Sequence, residues 1–424
     1  MTWLRCFTLF SLLLPSFCIA GVMEQLISSA LQDHPAVAAQ QAQIRGANAS
    51  VDAATWQYYP TPSIAIESAS AQASDSAYQG DGTVITARLQ QPLWTGGRLT
   101  AGLKKAEAGV LVSQAALEEV RQQLALRVVQ SYGDWLSAHL KTLAFEQSLT
   151  THIRLRDQVK RRIEQGASPD SDLILAASRL QSVNADIAVA RAQQDIALTR
   201  LGQLLGRPVE DAALSLVLAP PQPVTATPQQ LLALALASYP GLRKAHAQAV
   251  VQETVIAERR ADLSPEVYLR AEHQSGNYAV ANTKAQNRLF IGLSSRFGAG
   301  LSSLSSIENA RAQHQAALAE VDVQSRAVSE QVLADYVLVT SSDKRLEALK
   351  AALDAAMQVS ESYDRQFLAG RKTWLDVMNA ARELTQTQAQ IADIQSAQTV
   401  ASWRLAINTR GLSGVLANEQ GARR

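Results

Sequence analysis

Cysteine is almost missing from this 424-residue chain: Cys6 and Cys18 are the only two, and both fall in the first 20 residues. The rest of the chain therefore has no disulfide and no cysteine-based metal site. Aromatic residues make up only 5%, few for a chain built around one large globular core. An excess of one charge is missing too. Lys+Arg number 39 against 38 Asp+Glu, and Arg5 is the only charged residue before Gly21. A balanced chain has no basic stripe to displace counterions, which argues against nucleic acid as a partner. It is equally unlike an acidic disordered tail. The six histidines form no HExxH or other close pair, and no GxxxxGK[ST] loop is found, so neither a metal, a cofactor nor an enzymatic activity is expected.

Beyond residue 20 no apolar run reaches the length of a membrane-spanning helix, about 20 residues. If the chain crosses a membrane, it does so as a β-barrel. The first 20 residues read as a cleaved export signal: Arg5, an apolar run from Cys6 to Leu14, then small residues at Cys18 and Ala20. That run is too short for an anchor, and Phe17 stands where a lipidation site wants a small residue. Cleavage is expected after Ala20.

The chain is an internal duplication. Pro35 and Pro240, Pro60 and Pro265, and Glu67 and Glu272 are all 205 residues apart. Further on the offset slips to 204, for Tyr132 and Tyr336, Gly166 and Gly370, Asp172 and Asp376, and Leu180 and Leu384. A shared offset over such a distance marks a repeated unit. The expected organisation is a leader at 1–20, a first repeat at 21–207, a Pro-rich linker at 208–228, a second repeat at 229–410 and a short tail at 411–424.

Each repeat has one plan. Residues 35–58 read as a helix broken by Pro60-Thr61-Pro62. No proline lies between Pro92 and Pro169 or after Pro265, and both stretches are rich in helix formers. Leu103, Ala106, Val110, Leu117, Val120, Leu124 and Val128 step as a coiled-coil seam does. Helices are predicted over 98–164 and 302–368, each about 100 Å long at 1.5 Å per residue. Gly166 and Gly370 end them. Ser168-Pro169-Asp170 predicts an N-cap, a proline at N1 and a first-turn acid, and Thr373 with Asp376 resembles a capping box.

Strands are predicted near 63–74, 83–93, 266–275 and 287–297. Leu289, Ile291 and Leu293 share one face, opposite Arg288, Gly292 and Ser294, with Phe290 as the exception. Val267, Leu269 and Ala271 alternate likewise, as do Ile85, Ala87 and Leu89, and Ile64 with Ile66. The lengths suit tilted membrane strands of about 9–11 residues. The same alternation fits a soluble sheet with one buried face. Since the smallest membrane barrels have about eight strands, a barrel reading requires several chains.

With these features the sequence resembles the TolC family of outer-membrane efflux and secretion channels. The likeness is carried by Gln91-Pro92-Leu93-Trp94-Thr95-Gly96-Gly97-Arg98, by Phe367-x-x-Gly370 through Asp376-Val377-x-x-Ala380-x-x-x-Leu384, and by the duplication itself. Leu301 to Ser306 resembles the second-repeat counterpart of the Gly-Gly-Arg turn. The resemblance implies an α+β membrane protein: a homotrimer with a twelve-stranded barrel in outer-membrane lipid and a periplasmic tunnel of long helices. It implies a periplasmic adaptor and an inner-membrane transporter of the ABC type as partners, and a passive duct between them. It places the pore and its gate at the helix turns, with Asp172 and Asp376 as ring acids, Lys372 as their basic partner and Phe367 as an aromatic gate. Asn379 stands where the family has a second acid, which weakens the ring. Gly166, Ala167, Gly370 and Arg371 are the implied adaptor contacts. Asp376 and Asp172 also serve as ordinary helix-start acids, and the two roles are compatible.

The run Ser362 to Val377 looks most like the branch that serves type I secretion of large adhesins. Small-molecule or drug efflux is the alternative role, and a structural periplasmic coiled-coil protein is the alternative of another class. Trp94 suits a membrane interface. Trp374, at the opposite end, either packs the tip or faces the adaptor.

Overall fold

The computed structural model describes residues 21–72, 74–214, 216, 226–295, 299 and 302–421; the expected leader and the middle of the Pro-rich linker lie outside them. The first repeat runs α1 (Val22–Asp33), α2 (Pro35–Trp56), β1 (Thr61–Ser68), β2 (Thr83–Trp94), α3 (Arg98–Glu164) and α4 (Asp170–Leu205). The second runs α5 (Pro228–Ser238), α6 (Pro240–Ala261), β3 (Glu266–Ser275), β4 (Gln286–Ser294), α7 (Ser302–Leu368) and α8 (Trp374–Gly421). The repeats match in length as well as order. Helices α2 and α6 have 22 residues each, and α3 and α7 have 67 each.

The long helices obey the absence of proline, and their ends lie where the sequence puts them. Elsewhere the boundaries move. Strand β1 stops at Ser68, short of the expected 74, because the next residues (Ala69-Ser70-Ala71-Gln72) are small and poor in β propensity. Strand β4 ends at Ser294 rather than 297, and residues 296–298 lie outside the described set. Helix α4 starts at Asp170, so Pro169 and not Ser168 occupies the N-cap position, with φ −76° and ψ 156° and no side-chain cap. The expected tail is not a loose end: α8 continues to Gly421, broken only at Gly411 with φ 71°.

The Gln91–Arg98 motif has a structural cause. Gly96 and Gly97 both take positive φ, turning the chain from β2 into α3, and a Cβ on Gly96 would lie 2.1 Å from the Ser264 Cβ. At the other end of the sheet, Asp81 accepts from the amides of Asn277 (2.9 Å) and Asn282 (3.0 Å), locking the β1–β2 and β3–β4 loops together.

The main core lies at mid-height. Met23 and Ile27 of α1 pack with Val128, Tyr132, Trp135 and Leu136 of α3, Leu201 of α4, and Trp403 and Ile407 of α8. Leu214 from the linker and Val415 from the tail are buried in the same cluster. Trp135 donates its indole N–H to Asp211 (2.6 Å), in a short turn at Asp211–Ala213, and Gln194 donates to the same carboxylate (2.6 Å). These bonds fasten the linker to α3 and α4. Helices α3 and α8 meet at Gly133, where a Cβ would lie 2.2 Å from Val400 Cγ2, and the Gly133 carbonyl accepts from Ser396 (2.6 Å). Higher on α8, Arg404 grips the fully buried Asp335 of α7, with Nε at 2.9 Å from both carboxylate oxygens. Burial holds the Asp335 carboxyl above its usual pKa, against the opposing pull of Arg404 and Gln331.

Candidate functional site

Two helical hairpins, α3–α4 and α7–α8, end side by side. Each turn is built the same way. Gly166 donates to the Ile163 carbonyl (2.9 Å) and Ala167 to Arg162 (2.8 Å); Gly370 donates to Phe367 (3.0 Å) and Arg371 to Gln366 (2.8 Å). This is the Schellman arrangement, and it requires the left-handed glycine, with φ 73° at both positions. Gly166, Ala167, Gly370 and Arg371 are all exposed.

A small core holds the two tips together: Leu155, Val159 and Ala176 from the first hairpin, with Phe367, Trp374, Val377 and Met378 from the second. Arg154 Nη1 donates to both oxygens of Asp364, at 2.8 and 2.7 Å. Arg162 stacks over the Phe367 ring at 4.8 Å and donates to its carbonyl at 3.4 Å. Phe367 is only 3% exposed, and its ring packs in this tip core. Trp374 is buried too, which settles it as packing.

Asp376 forms a complete box with Thr373. Its carboxylate accepts from the Thr373 amide (3.1 Å) and hydroxyl (2.8 Å), and its own amide donates back to that hydroxyl (3.3 Å). The Thr373 hydroxyl, then the Thr373 amide, then the charge of Lys372 hold this carboxyl below its ordinary pKa. Lys372 places its ammonium over the Tyr363 ring at 4.2 Å. Asp172 is half-buried in the first turn of α4, and Asn379 is exposed. The structure thus groups Lys372, Asp376 and Phe367 in one hairpin and Asp172 in the other. Among the described residues, no ion pair joins either aspartate to a base of the other hairpin. Arg154, Asp364, Arg162 and Tyr363 were not legible as tip residues, because each acts through a partner on another turn or another hairpin. Ile174 (72% exposed) and Leu368 (68%) add apolar surface at the turns.

At the far end the four strands form one antiparallel sheet in the order β1-β2-β3-β4. One face is apolar and uncovered: Ile64, Ile66, Leu289, Ile291 and Leu293 are all at least 68% exposed. The other face is polar. Arg88 and Glu272 are directly opposed and bonded at 2.9 Å. Phe290, the exception to the alternation, lies on this polar face, where Arg270 stacks over its ring at 4.5 Å. Trp56, Tyr59 and Trp94 stand exposed at the helical end of the sheet. No described helix is long and apolar enough to cross a membrane.

The sequence profile of the outer membrane efflux protein family matches residues 26–207 and again residues 231–407, once per repeat. The chain belongs to the outer membrane efflux protein family. This efflux-family chain is 27% identical over 315 residues to the alkaline protease secretion protein AprF of Pseudomonas aeruginosa, a match that covers 72% of this chain and 64% of AprF's length. Its fold superposes on the outer membrane protein VceC of Vibrio cholerae with a TM-score of 0.77 at 17% identity, over 92% of this chain and 96% of VceC. CusC, described in terms of folding and transmembrane channel formation, gives 0.76 at 18% identity, over 91% of both chains. The TolC-like resemblance and the class of long helices with two strands per repeat are both borne out.

Proposed function

We propose that three copies of this efflux-family chain close a twelve-stranded barrel in the outer membrane, continued into the periplasm by a tunnel of the long helices. The carrying observation is the sheet. Its outer face is apolar with nothing covering it, and β1 and β4 are both edge strands. A bilayer satisfies the face, and neighbouring copies satisfy the edges, since unpaired strand edges are not tolerated in lipid. Four strands per chain fall short of the smallest barrels, and three chains supply twelve. Removal of the leader after Ala20 fits export to that membrane. The exposed aromatics at the helical end of the sheet fit its inner interface.

In this assembly the tips form the periplasmic aperture. Asp172 and Asp376 ring it, Lys372 tunes the ring, and the exposed turns at Gly166-Ala167 and Gly370-Arg371 meet a periplasmic adaptor. Energy comes from an inner-membrane transporter of the ABC type. The favoured cargo is a large secreted polypeptide delivered by type I secretion. The relation to AprF, a secretion protein, supports that reading. Small-molecule efflux is the second reading, supported by the description of the family as efflux proteins.

The test is a clean deletion strain compared with its parent. Loss of one large surface or secreted protein, restored by the complementing gene, supports secretion. An unchanged proteome with increased drug sensitivity moves the role to efflux. Recovery of the protein as a soluble periplasmic monomer overturns the channel.

A further inference from the structure

We infer that the inward face of the sheet carries a belt of arginines that makes the membrane section of the duct attract anionic solutes and repel cationic ones. The inference rests on the barrel reading above. Ser63, Arg88, Glu272 and Arg288 stand in one transverse row across β1, β2, β3 and β4. Arg270 lies on the same face, two residues from Glu272. Around the single carboxylate, Arg88 Nε donates at 2.9 Å, Arg288 Nη1 lies at 3.7 Å and Arg270 Nε at 3.8 Å. The last is too long for a hydrogen bond, and Arg270 Nε is buried without an acceptor. Arg288 gives its other hydrogens to neutral amides, Gln274 (3.0 Å) and Gln286 (2.5 Å).

The charges do not cancel. One carboxylate offsets one guanidinium, which leaves two positive charges per chain. The side chain of Glu272 is 8% exposed, whereas those of Arg88 and Arg288 are 47% and 42% exposed. The acid is thus covered, and the bases face the water. The remaining acids of this face are remote. Glu67 pairs opposite Val84, four residues along β2 from Arg88, or about 14 Å at 3.4 Å per residue. Glu266 sits six residues from Glu272, about 20 Å away, and is paired with Arg98 at 3.4 Å. Both distances exceed the screening length of about 8–10 Å at physiological salt. A clasp joining β2 to β3 needs only one arginine; the two further guanidiniums are in excess of it. Guanidinium does not deprotonate, so the belt keeps its charge at every physiological pH.

Ser63 reports the local potential, because it is exposed and registers opposite Arg88. The only native cysteines are Cys6 and Cys18. Ser63→Cys is introduced into the full chain and assembled in lipid vesicles. Anionic sulfonatoethyl and cationic trimethylammonioethyl methanethiosulfonates of similar size are then compared, each relative to its rate with free cysteine. A potential of about 1 kT separates the two rates about sevenfold in favour of the anion. The ratio falls toward unity in molar salt and does not change between pH 5.5 and 8.5, values chosen about neutrality. Arg88→Gln with Arg288→Gln abolishes the preference, and Glu272→Gln increases it. Retention of the assembled oligomer on gels certifies each variant, and the opposite signs keep the test open if one variant fails to assemble. A ratio of unity at low salt, or one indifferent to both substitutions, overturns the belt while leaving the channel intact. Failure of both reagents to reach Ser63→Cys, with Ile291→Cys reactive instead, overturns the barrel reading and the belt together.

Discussion

Arg154 and Asp364, 210 positions apart in the chain, are joined by two hydrogen bonds from one guanidinium nitrogen and tie the first hairpin tip to the second. The side chains are 47% and 24% exposed, so the pair adds little to stability, about 0.2–1 kcal/mol. Its effect is on geometry. Arg154→Ala should leave the melting temperature nearly unchanged and raise single-channel conductance in planar bilayers. Conductance equal to that of the parent would show that this pair does not hold the aperture.

The Thr373–Asp376 box predicts a pH dependence with a definite sign. The folded carboxyl is held below its ordinary value, so its stabilising contribution is complete above the unfolded pKa of about 3.9. It is lost as pH falls through the lower folded value. Hydrogen exchange across residues 373–377 should therefore stay slow down to the ordinary carboxylate range. In Thr373→Ala it should accelerate at higher pH than in the parent. Equal profiles would mean that the hydroxyl does not set the titration.

Close packing at mid-height makes Gly133 intolerant. Any larger residue drives a Cβ into Val400. Gly133→Ala should cost about 1–3 kcal/mol in denaturant unfolding, the usual penalty of overpacking. Val400→Ala in the same chain should recover part of it, and lack of recovery would place the clash elsewhere.

The two faces of the sheet should respond differently to charge. Ile291 is 78% exposed on the apolar face. Ile291→Lys should cost about 2–4 kcal/mol if the residue lies near the middle of the bilayer. Ser63→Lys, on the polar face, should be accepted. The yield of heat-resistant oligomer from outer membranes measures both. A reversed order would invert the sheet.

Much of this architecture is local and therefore legible. Residues 98–164 and 302–368 are helical because no proline interrupts them and every turn satisfies its own backbone. The glycines that end them declare themselves because only a left-handed residue completes those turns. The tip chemistry is less local. Phe367 in the last turn of a helix has no intrinsic reason to face inward; Leu155 and Val159, more than 200 positions earlier, supply it. Asp211 in the linker reads as one more loop acid until Trp135 and Gln194 are seen to donate to it. The polar face of the sheet was visible as alternation, but the three-to-one imbalance around Glu272 depends on the register of β3 with β2 of the other repeat and with β4 of its own.

The mid-height core also sets an order of events. Met23 and Ile27, at the front of the described chain, have no exposed surface, and their cover includes Trp403 and Ile407 near its end. A polypeptide threaded across a membrane from its amino end delivers the first pair long before the second. Contacts so distant along the chain form late and slowly. For most of its transit, the leading segment waits as a hydrophobic strand of text without its final clause, and it is the arrival of the last helix that lets the molecule close.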